Sequence, residues 1–275
     1  MTPLALPLRS LLFVPATHLE RIVKAFNSGA DAVVVDWEDA VAATHKHAAR
    51  ADTLRYLAEH PETKVWVRIN AVTSEHYADD VSACLQCEGI IGVLLPKAEH
   101  EHQVSALAQN THKPVLAMIE TPLGLLNLAQ IATAKGLYRL SYGALDLAQA
   151  LGASPNTPGG DLLMHQVRFQ LLLHSQVNGL AAPIDSVYPD FTDDAGLIQR
   201  AECWQQMGFA GMLCIHPRQI APLHALLAPS PARLAWAKAV VQQADSSGQL
   251  AFKLDGEMVD APVIARARQL LASQA

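Results

Sequence analysis

Residues 32–39, Ala-Val-Val-Val-Asp-Trp-Glu-Asp, contain the pattern on which the fold prediction rests. A short, β-branched apolar run without polar alternation is typical of a strand that is buried on both faces. The run ends in carboxylates, and a stretch with helical character, Lys46–His60, follows it. A buried strand, polar residues at its end and then a helix form the basic unit of α/β folds with parallel strands.

The same unit recurs along the chain. The apolar runs are Leu11–Pro15, Ala32–Trp37, Lys64–Ile69, Gly92–Pro96, Pro114–Ile119, Leu137–Tyr142, Leu180–Ile184 and Gly211–Ile215. The helical segments between them include His18–Ser28, Lys46–His60, Ser74–Cys87, Gln103–Gln109, Leu125–Ala134, Met164–Asn178 and Gly196–Met207. These eight runs and the helices between them predict a (β/α)8 TIM barrel. A doubly wound open sheet is the alternative, but no strand is followed by G-x-G-x-x-G.

Residues 218–275 are predicted to form a helical extension to a barrel of residues 1–217. Ser230–Ser246 and Ala261–Leu271 have helical character, and the polar, turn-rich stretch Ser247–Gly256 separates them. No linker or low-complexity segment indicates a second independent domain. We expect this extension to pack on a neighbouring subunit.

Composition excludes several classes of protein. The chain has 275 residues, a net charge of −6 and no basic stripe, which argues against nucleic-acid binding. No run of 18 apolar residues indicates a membrane span, and the first 16 residues, with Arg9 and three prolines, make a poor signal peptide. The four cysteines include Cys84 and Cys87, which we interpret as small residues on one helix. We therefore expect a cytoplasmic protein without a disulfide framework.

Polar residues follow the predicted strands, and in a TIM barrel the active site lies at these carboxyl ends. They are Asp36, Glu38, Asp39, Arg68, Lys97, Glu120, Asp146, Asp185, Tyr188, Asp190 and His216. Glu120 and Asp146 follow adjacent strands and are the natural pair for Mg²⁺, which takes one or two carboxylates, water and substrate oxygens. Arg68 either holds a substrate oxygen through its planar fork or forms a salt bridge with Asp36 or Glu38; spacing leaves both open.

Other kinds of chemistry lack their motifs. The twelve histidines include no H-E-x-x-H, so zinc is not expected. There is no G-x-S-x-G nucleophile elbow and no G-x-x-x-x-G-K-[ST] phosphate loop. His216, which Pro217 follows, either faces the site or fixes a turn.

Nine short motifs, in order, resemble the citrate lyase β-subunit-like branch of the HpcH/HpaI aldolase superfamily. They are Arg9–Pro15, Gly29–Ala32, Asp36–Val41, Val67–Asn70, Leu95–Lys97, Ile119–Pro122, Gly143–Leu147, Cys214–Pro217 and Met258–Pro262. Each is weak by itself, but together they extend over nearly the whole chain.

The resemblance implies a Mg²⁺-dependent lyase that cleaves a citryl, malyl or citramalyl thioester to an acetyl thioester and a 2-oxo acid. The carrier would be coenzyme A or an acyl-carrier protein, and the assembly a homotrimer or hexamer. By resemblance Glu120 and Asp146 bind the metal and Arg68 contacts the substrate. Asp260 would reach a neighbouring subunit's active site as acid or base. We add Asp36 and Glu38 as catalytic candidates, and Lys97 and Glu120 as substrate-binding candidates.

Two departures from the family pattern affect the expected site. Residues 16–19, Ala-Thr-His-Leu, replace a loop with arginine and proline, which leaves Arg9, Arg21 and Lys24 as candidates for the phosphates of coenzyme A. Trp37 follows Asp36 where a smaller aliphatic residue is usual, and we expect it to reshape the pocket.

Two other functions remain open at this point. The first is an aldolase of the same superfamily that acts on free 2-oxo acids. The second is a non-catalytic barrel that binds a ligand or forms a complex.

Overall fold

A sheet of parallel strands forms the centre of the molecule in the computed structural model, which describes residues 8–155 and 157–272. The strands are β1 (Ser10–Pro15), β2 (Ala32–Asp36), β3 (Val65–Arg68), β4 (Ile90–Leu95), β5 (Val115–Ile119), β6 (Leu137–Tyr142), β7 (Ile184–Asp185) and β8 (Gly211–Cys214). Their order is β6-β5-β4-β3-β2-β1-β8-β7, and every adjacent pair is parallel. The sheet is a nearly closed barrel, so the predicted TIM-barrel fold is confirmed.

The helices of the barrel unit lie between successive strands, except for the last one, which follows β8. They are α1 (Arg21–Asn27), α2 (Lys46–Glu59), α3 (Tyr77–Gln86), α4 (Glu101–Thr111), α5 (Pro122–Leu126), α6 (Leu128–Ile131), α7 (Ala144–Leu151), α8 (Pro158–Val177), α9 (Asp194–Met207) and α10 (Ile220–Leu227). The described residues include no helix that is both long enough and apolar enough to cross a membrane. The prediction for the N-terminal sixteen residues falls partly on residues 1–7, outside the described part.

The strand register brings polar residues to the same level at the carboxyl edge of the barrel. Pro15 pairs with Asp36, Asp36 pairs with Arg68, and Ile119 pairs with Tyr142. Apolar side chains fill the barrel below this level; they include Leu11, Val34, Trp66, Leu94, Leu116, Met118 and Leu213. The polar residues therefore lie directly above a packed apolar core, and the candidate reactive groups are at the carboxyl edge of the barrel.

Two features of the barrel differ from the sequence prediction. Strand β7 contains only Ile184 and Asp185, whereas Leu180–Ile184 was predicted. Pro183 has no N–H to donate, and the Ala182 carbonyl accepts a hydrogen bond from the Arg139 side chain. Strand pairing therefore begins only at Ile184. Helix α8 begins at Pro158 and not near Met164, because the Thr157 hydroxyl accepts the Gly160 N–H and Pro158 suits the first turn.

Residues after Leu226 form a separate compact unit, Leu227–Ala275. Helices α11 (Pro231–Ser247) and α12 (Ala261–Ala272) pack around Ala237, Val240 and Ala267. Between them the structure has an antiparallel hairpin of β9 (Phe252–Leu254) and β10 (Glu257–Val259), where the sequence predicted only a polar stretch. Asp255 and Gly256 both have positive φ, 50° and 87°, and Asp-Gly is a strong hairpin signal that the prediction missed.

Candidate active site

A cavity of about 430 Å³ opens at the carboxyl ends of the barrel strands. Its polar lining consists of Asp36, Asp39, Arg68, Glu120, Asp146 and Ser186. Its apolar wall includes Phe13, Met118, Leu145, Val187, Leu213 and Ile215. Four predicted site residues, Asp36, Arg68, Glu120 and Asp146, therefore line one cavity. A groove of about 440 Å³ lies between helix α2 and the segment that follows β1, and none of the predicted site residues lines it.

Arg68, the last residue of β3, forms a bidentate ion pair with Asp36. Its Nε and Nη2 atoms donate to the two Asp36 carboxylate oxygens at 2.8 and 2.6 Å. Burial by itself would lower the pKa of Arg68, but hydrogen bonds to Asp36 and the charges of Asp36 and Glu38 outweigh it and raise the pKa. The guanidinium also lies 4.9 Å from the centre of the Phe13 ring. Arg68 is thus a fixed cation at the cavity wall.

Asp36 also organises the loop that follows β2. Its two carboxylate oxygens accept the backbone N–H groups of Glu38 at 2.9 Å and Ala40 at 3.2 Å. Because these bonds come in addition to the Arg68 fork, one buried carboxylate fixes both the loop and the guanidinium. The salt-bridge interpretation of Arg68 is therefore realised in the structure, and the same residue still faces the cavity.

Glu38 and Lys97 form a second ion pair next to the first. The Lys97 ammonium donates to Glu38 Oε1, and Glu38 Oε2 lies 3.2 Å from Arg68 Nη1. Burial raises the pKa of Glu38, and the charges of Arg68 and Lys97 act against that increase. Glu38 therefore bridges the two cations of the site, although its side chain is almost fully buried.

Glu120, directly after β5, is held between Lys97 and Gly143. Its Oε2 accepts the backbone N–H of Lys97 at 2.9 Å, and Lys97 adopts a left-handed φ of 49° there. A Cβ atom at Gly143 would lie 2.5 Å from Glu120 Oε1, so only glycine leaves room for this carboxylate. Burial, with the neighbouring Glu38 carboxylate, raises the pKa of Glu120 to about 7, against the charges of Arg68 and Lys97.

Asp146 lies in the first turn of α7, two residues after Ala144. The sequence prediction placed it after the sixth strand and assigned no helix there, so helix α7 is an addition to that prediction. The first turn of a helix directs the Asp146 carboxylate into the cavity together with Glu120.

Glu120 and Asp146, two of the four carboxylates that line the cavity, suit a hard divalent cation. Within residues 8–155 and 157–272 there is no cluster of three or more His, Cys, Asp or Glu side chains able to hold a metal. Sites of two carboxylates, completed by water and substrate oxygens, are characteristic of Mg²⁺, whereas zinc usually has three or four protein ligands. The donor set of Glu120 and Asp146 therefore fits Mg²⁺.

Glu120→Gln is expected to stabilise the metal-free chain at neutral and alkaline pH. A carboxyl whose folded pKa of about 7 lies above its ordinary value of 4.5 favours folding below pH 4.5 and loses that contribution as pH rises through 7. Glutamine resembles the neutral acid and avoids the loss. Urea unfolding in EDTA should give the variant and the wild-type chain equal free energies of unfolding near pH 4.5. Above pH 7 the free energy of unfolding should be higher for the variant by roughly 3 kcal/mol. A pH-independent difference would contradict this account of Glu120.

Three residues singled out in the sequence lie elsewhere. Trp37 is buried and donates to Thr53 of α2 at 3.0 Å, so the expectation that it reshapes the pocket is wrong. Arg9 pairs with Asp31 at 2.7 Å at the amino end of β1, so it is not a candidate for coenzyme phosphates. His216 fixes a turn, because its Nδ1 accepts the Arg218 N–H at 3.1 Å.

Asp260 lies in the C-terminal unit, where its exposed side chain caps helix α12. Its Oδ1 accepts the Val263 N–H at 3.3 Å. Aspartate at a helix N-terminus contributes roughly 1 kcal/mol of stability through such a bond. This contact accounts for an aspartate at the position, and a further part in catalysis stays a prediction.

A second cavity, of about 420 Å³, lies beside the first and shares Phe13, Pro15 and Ile215 with it. Arg21 and Lys24 of α1 line it, together with His216. Of the three cations named from the sequence, Arg21 and Lys24 are therefore placed to hold an anionic group next to the active-site cavity.

Sequence reasoning missed Phe13, Gly143 and Ser186. Phe13 contacts Arg68, Gly143 leaves room for Glu120, and Ser186 accepts the backbone N–H of Ala144. Gly143 stood within a quoted motif, but its role depends on a contact between two strands, which spacing along one strand does not reveal.

A family model and individual relatives of known name indicate the same family for this chain. The family model described as HpcH/HpaI aldolase/citrate lyase matches residues 9–217. Citrate lyase subunit beta of Escherichia coli is 34% identical over 96% of this chain and 92% of its own length. A (3S)-malyl-CoA thioesterase of Cereibacter sphaeroides is 36% identical over 97% of this chain and 94% of its own length.

A solved structure extends the similarity to three dimensions. Protein CitE of Mycobacterium tuberculosis, in complex with magnesium, acetoacetate and coenzyme A, superposes with a TM-score of 0.82 at 36% identity. The match covers 97% of this chain and 98% of that one. The similarity therefore includes the barrel and the residues after it.

Proposed function

Because this chain belongs to the HpcH/HpaI aldolase/citrate lyase family, we propose that it is a Mg²⁺-dependent carbon–carbon lyase acting on a 3-hydroxy-acid thioester. The substrate class is that of citryl-, malyl- or citramalyl-coenzyme A. The products would be an acetyl thioester and a 2-oxo acid.

One observation carries this proposal: Glu120, Asp146 and Arg68 line the same cavity. Two carboxylates and a fixed guanidinium in one cavity suit a ligand that combines a divalent cation with the oxygens of a 2-oxo acid. The similar CitE structure was solved with magnesium and acetoacetate, a small oxo acid of related chemistry.

In the proposed reaction the hydroxyl proton of the substrate is removed and the adjacent carbon–carbon bond breaks. The bonding electrons move onto the thioester part as an enolate, and protonation of the enolate carbon completes the acetyl thioester. When bound by Glu120 and Asp146, Mg²⁺ supplies Lewis-acid polarisation of the oxo-acid oxygens. Arg68 supplies a second, preorganised positive charge at the same oxygens.

Asp36 and Glu38 support Arg68 in this scheme, and Lys97 stays a candidate for substrate contact. Asp36 accepts hydrogen bonds from Nε and Nη2 of Arg68. Nη1 is therefore the guanidinium nitrogen that does not bond to Asp36. Glu38 links Arg68 to Lys97, whose pKa burial would lower but the Glu38 contact raises. Both cations therefore remain charged in the neutral range, as substrate-carboxylate binding requires.

We assign the acid–base step to Asp260 of a neighbouring subunit, in a homotrimer or hexamer. Two facts support it: Asp260 is exposed, and it belongs to a compact unit other than the one that contains the barrel. An exposed carboxylate on a separate unit can serve another subunit's cavity and still cap its own helix.

Coenzyme A is the carrier that we favour over a protein. Arg21 and Lys24 line a cavity that adjoins the active-site cavity and could neutralise the phosphates of the coenzyme. The similar CitE protein was solved with coenzyme A bound.

Thioester hydrolysis is the second candidate, because a relative of nearly full coverage is a malyl-CoA thioesterase. Hydrolysis would use the same metal and arginine but would release free coenzyme A and the intact hydroxy acid. An aldolase for free 2-oxo acids, and a non-catalytic barrel, remain further alternatives.

Product analysis tests the proposal. Malyl-, citramalyl- and citryl-coenzyme A are incubated separately with the protein, with and without Mg²⁺. Acetyl-coenzyme A plus a 2-oxo acid, formed only with Mg²⁺, is the expected result. Free coenzyme A with intact hydroxy acid would establish the thioesterase instead. Turnover of none of them would refute thioester chemistry, and cleavage of free 4-hydroxy-2-oxo acids would then identify an aldolase.

Arg68→Lys is expected to impair turnover severely although the charge is kept. A lysine is a point charge and cannot bond both Asp36 oxygens and a substrate oxygen in one plane. We expect kcat/KM to fall by an amount equivalent to roughly 2–4 kcal/mol of transition-state stabilisation. Arg55→Lys, in an exposed ion pair with Asp52, is the matched control. Near-wild-type kcat/KM for Arg68→Lys would leave only the salt bridge as its function.

A further inference from the structure

Strands β6 and β7 are the two ends of the hydrogen-bonded strand order, and side chains close the junction between them. The Tyr142 hydroxyl donates to Asp185 Oδ1 at 2.7 Å, and Ser186 Oγ accepts the Ala144 N–H at 3.0 Å. All four residues are buried. The last residue of β7, Asp185, and the residue after it, Ser186, thus bond to the two residues on either side of Gly143.

Asp185 is held from outside the barrel by two arginines. Arg168 of α8 donates to its two oxygens at 2.8 and 3.2 Å, and Arg200 of α9 approaches one of them at 3.3 Å. Because Asp185 is fixed by both helices and by Tyr142, the adjacent Ser186 has little freedom to move. The hydroxyl of Ser186 is therefore presented to α7 from a rigid support.

Helix α7 cannot provide its own N-terminal cap. The residue at its N-cap position is Gly143, which has no side chain to accept the first N–H groups. A serine or aspartate there would place its Cβ 2.5 Å from Glu120 Oε1. The space that Glu120 needs thus excludes a cap from within the helix, and the Ala144 N–H bonds to Ser186 across the junction.

We infer that Ser186 is a positioning residue for the metal ligand Asp146. It fixes the first backbone N–H of α7, and Asp146 lies in the same turn, two residues further on. This inference rests on the proposed function, because it assumes that Asp146 binds Mg²⁺. Loss of the hydroxyl would free the first turn and displace the Asp146 carboxylate relative to Glu120.

Ser186→Ala tests the inference by Mg²⁺ affinity, measured by titration calorimetry on the full chain without substrate. We expect the Kd for Mg²⁺ to rise by about tenfold, as for other groups that orient a metal ligand. Ser175→Ala is the matched control: Ser175 is equally buried, in α8, and its hydroxyl has no hydrogen-bond partner. Thermal unfolding, recorded for both variants, separates a loss of affinity from a loss of structure.

The outcomes separate this inference from the proposed function. If Asp146→Asn leaves Mg²⁺ affinity unchanged, the proposed metal site is wrong. If Asp146→Asn loses Mg²⁺ but Ser186→Ala binds it as Ser175→Ala does, the inference is wrong and the proposed function stands. Ser186→Cys, which keeps the shape but offers only a weak acceptor, replaces the alanine variant if that one does not fold. It too should bind Mg²⁺ more weakly, and wild-type affinity would overturn the inference.

Discussion

Glu120→Gln and Asp146→Asn are each expected to abolish Mg²⁺-dependent turnover while the barrel stays folded. Each removes the charge of one of only two protein carboxylates proposed to hold the cation, and the shape of the side chain is kept. The transition state would lose both the Lewis acid and the correct placement of the oxo-acid oxygens. We expect kcat/KM to fall on the order of 10³-fold or more.

Two further measurements make this test specific. Mg²⁺ titration of each variant should show the loss of affinity directly, without substrate. Glu202→Gln, a substitution of the same kind at an exposed position of α9, should leave turnover and Mg²⁺ dependence unchanged. Full activity of either site variant, at the wild-type Mg²⁺ dependence, would remove that residue from the metal site.

The predicted stability gain of Glu120→Gln makes the expected loss of activity more informative. Burial holds the pKa of Glu120 near 7, so the fold carries a cost for keeping this carboxylate ionised at neutral pH. A variant that is more stable and yet inactive cannot owe its inactivity to unfolding. Stability given up at a functional position in this way is common in enzymes.

The barrel and the location of the site were predictable because both depend on patterns along single strands. Runs such as Ala32–Trp37 identify buried strands, and parallel strands bring their carboxyl ends to one edge. Asp36 and Arg68 lie near the end of such a run, Glu120 and Asp146 follow one, and the structure brings all four to one cavity.

What the sequence did not reveal depends on contacts between distant segments. The pairing of Glu120 with the Lys97 N–H requires the φ of 49° at Lys97, which nothing in the local sequence demands. The bond from Ala144 to Ser186 joins residues that are 42 positions apart. Helix α7 was missed for the same reason, because its first N–H bonds to Ser186, after β7, and not to a capping residue in its own sequence.

Asp260→Asn is expected to lower turnover by about 10²–10⁴-fold, the usual loss for a missing acid–base group, with little change in stability. If Asp260 served only as the cap of α12, the variant would keep both its stability and its activity, because asparagine caps a helix about as well as aspartate. Initial rates separate these two results, and urea unfolding of the same preparation shows that the variant is folded. Asp245→Asn, in an exposed ion pair with Arg268 in the same unit, is the matched control.

Mixing inactive variants tests whether Asp260 acts on a neighbouring subunit. Chains with Asp260→Asn keep an intact barrel cavity, and chains with Glu120→Gln keep an intact Asp260. If each site combines the cavity of one chain with Asp260 of the next, random mixed oligomers should have about a quarter of their sites complete. Activity should therefore return after subunit exchange. Mixing Glu120→Gln with Arg68→Lys gives the negative control, because both residues line the cavity of one chain and exchange cannot reunite them. If the Asp260→Asn mixture stays as inactive as this control, in oligomers shown by mass spectrometry to be mixed, Asp260 does not serve a neighbouring site.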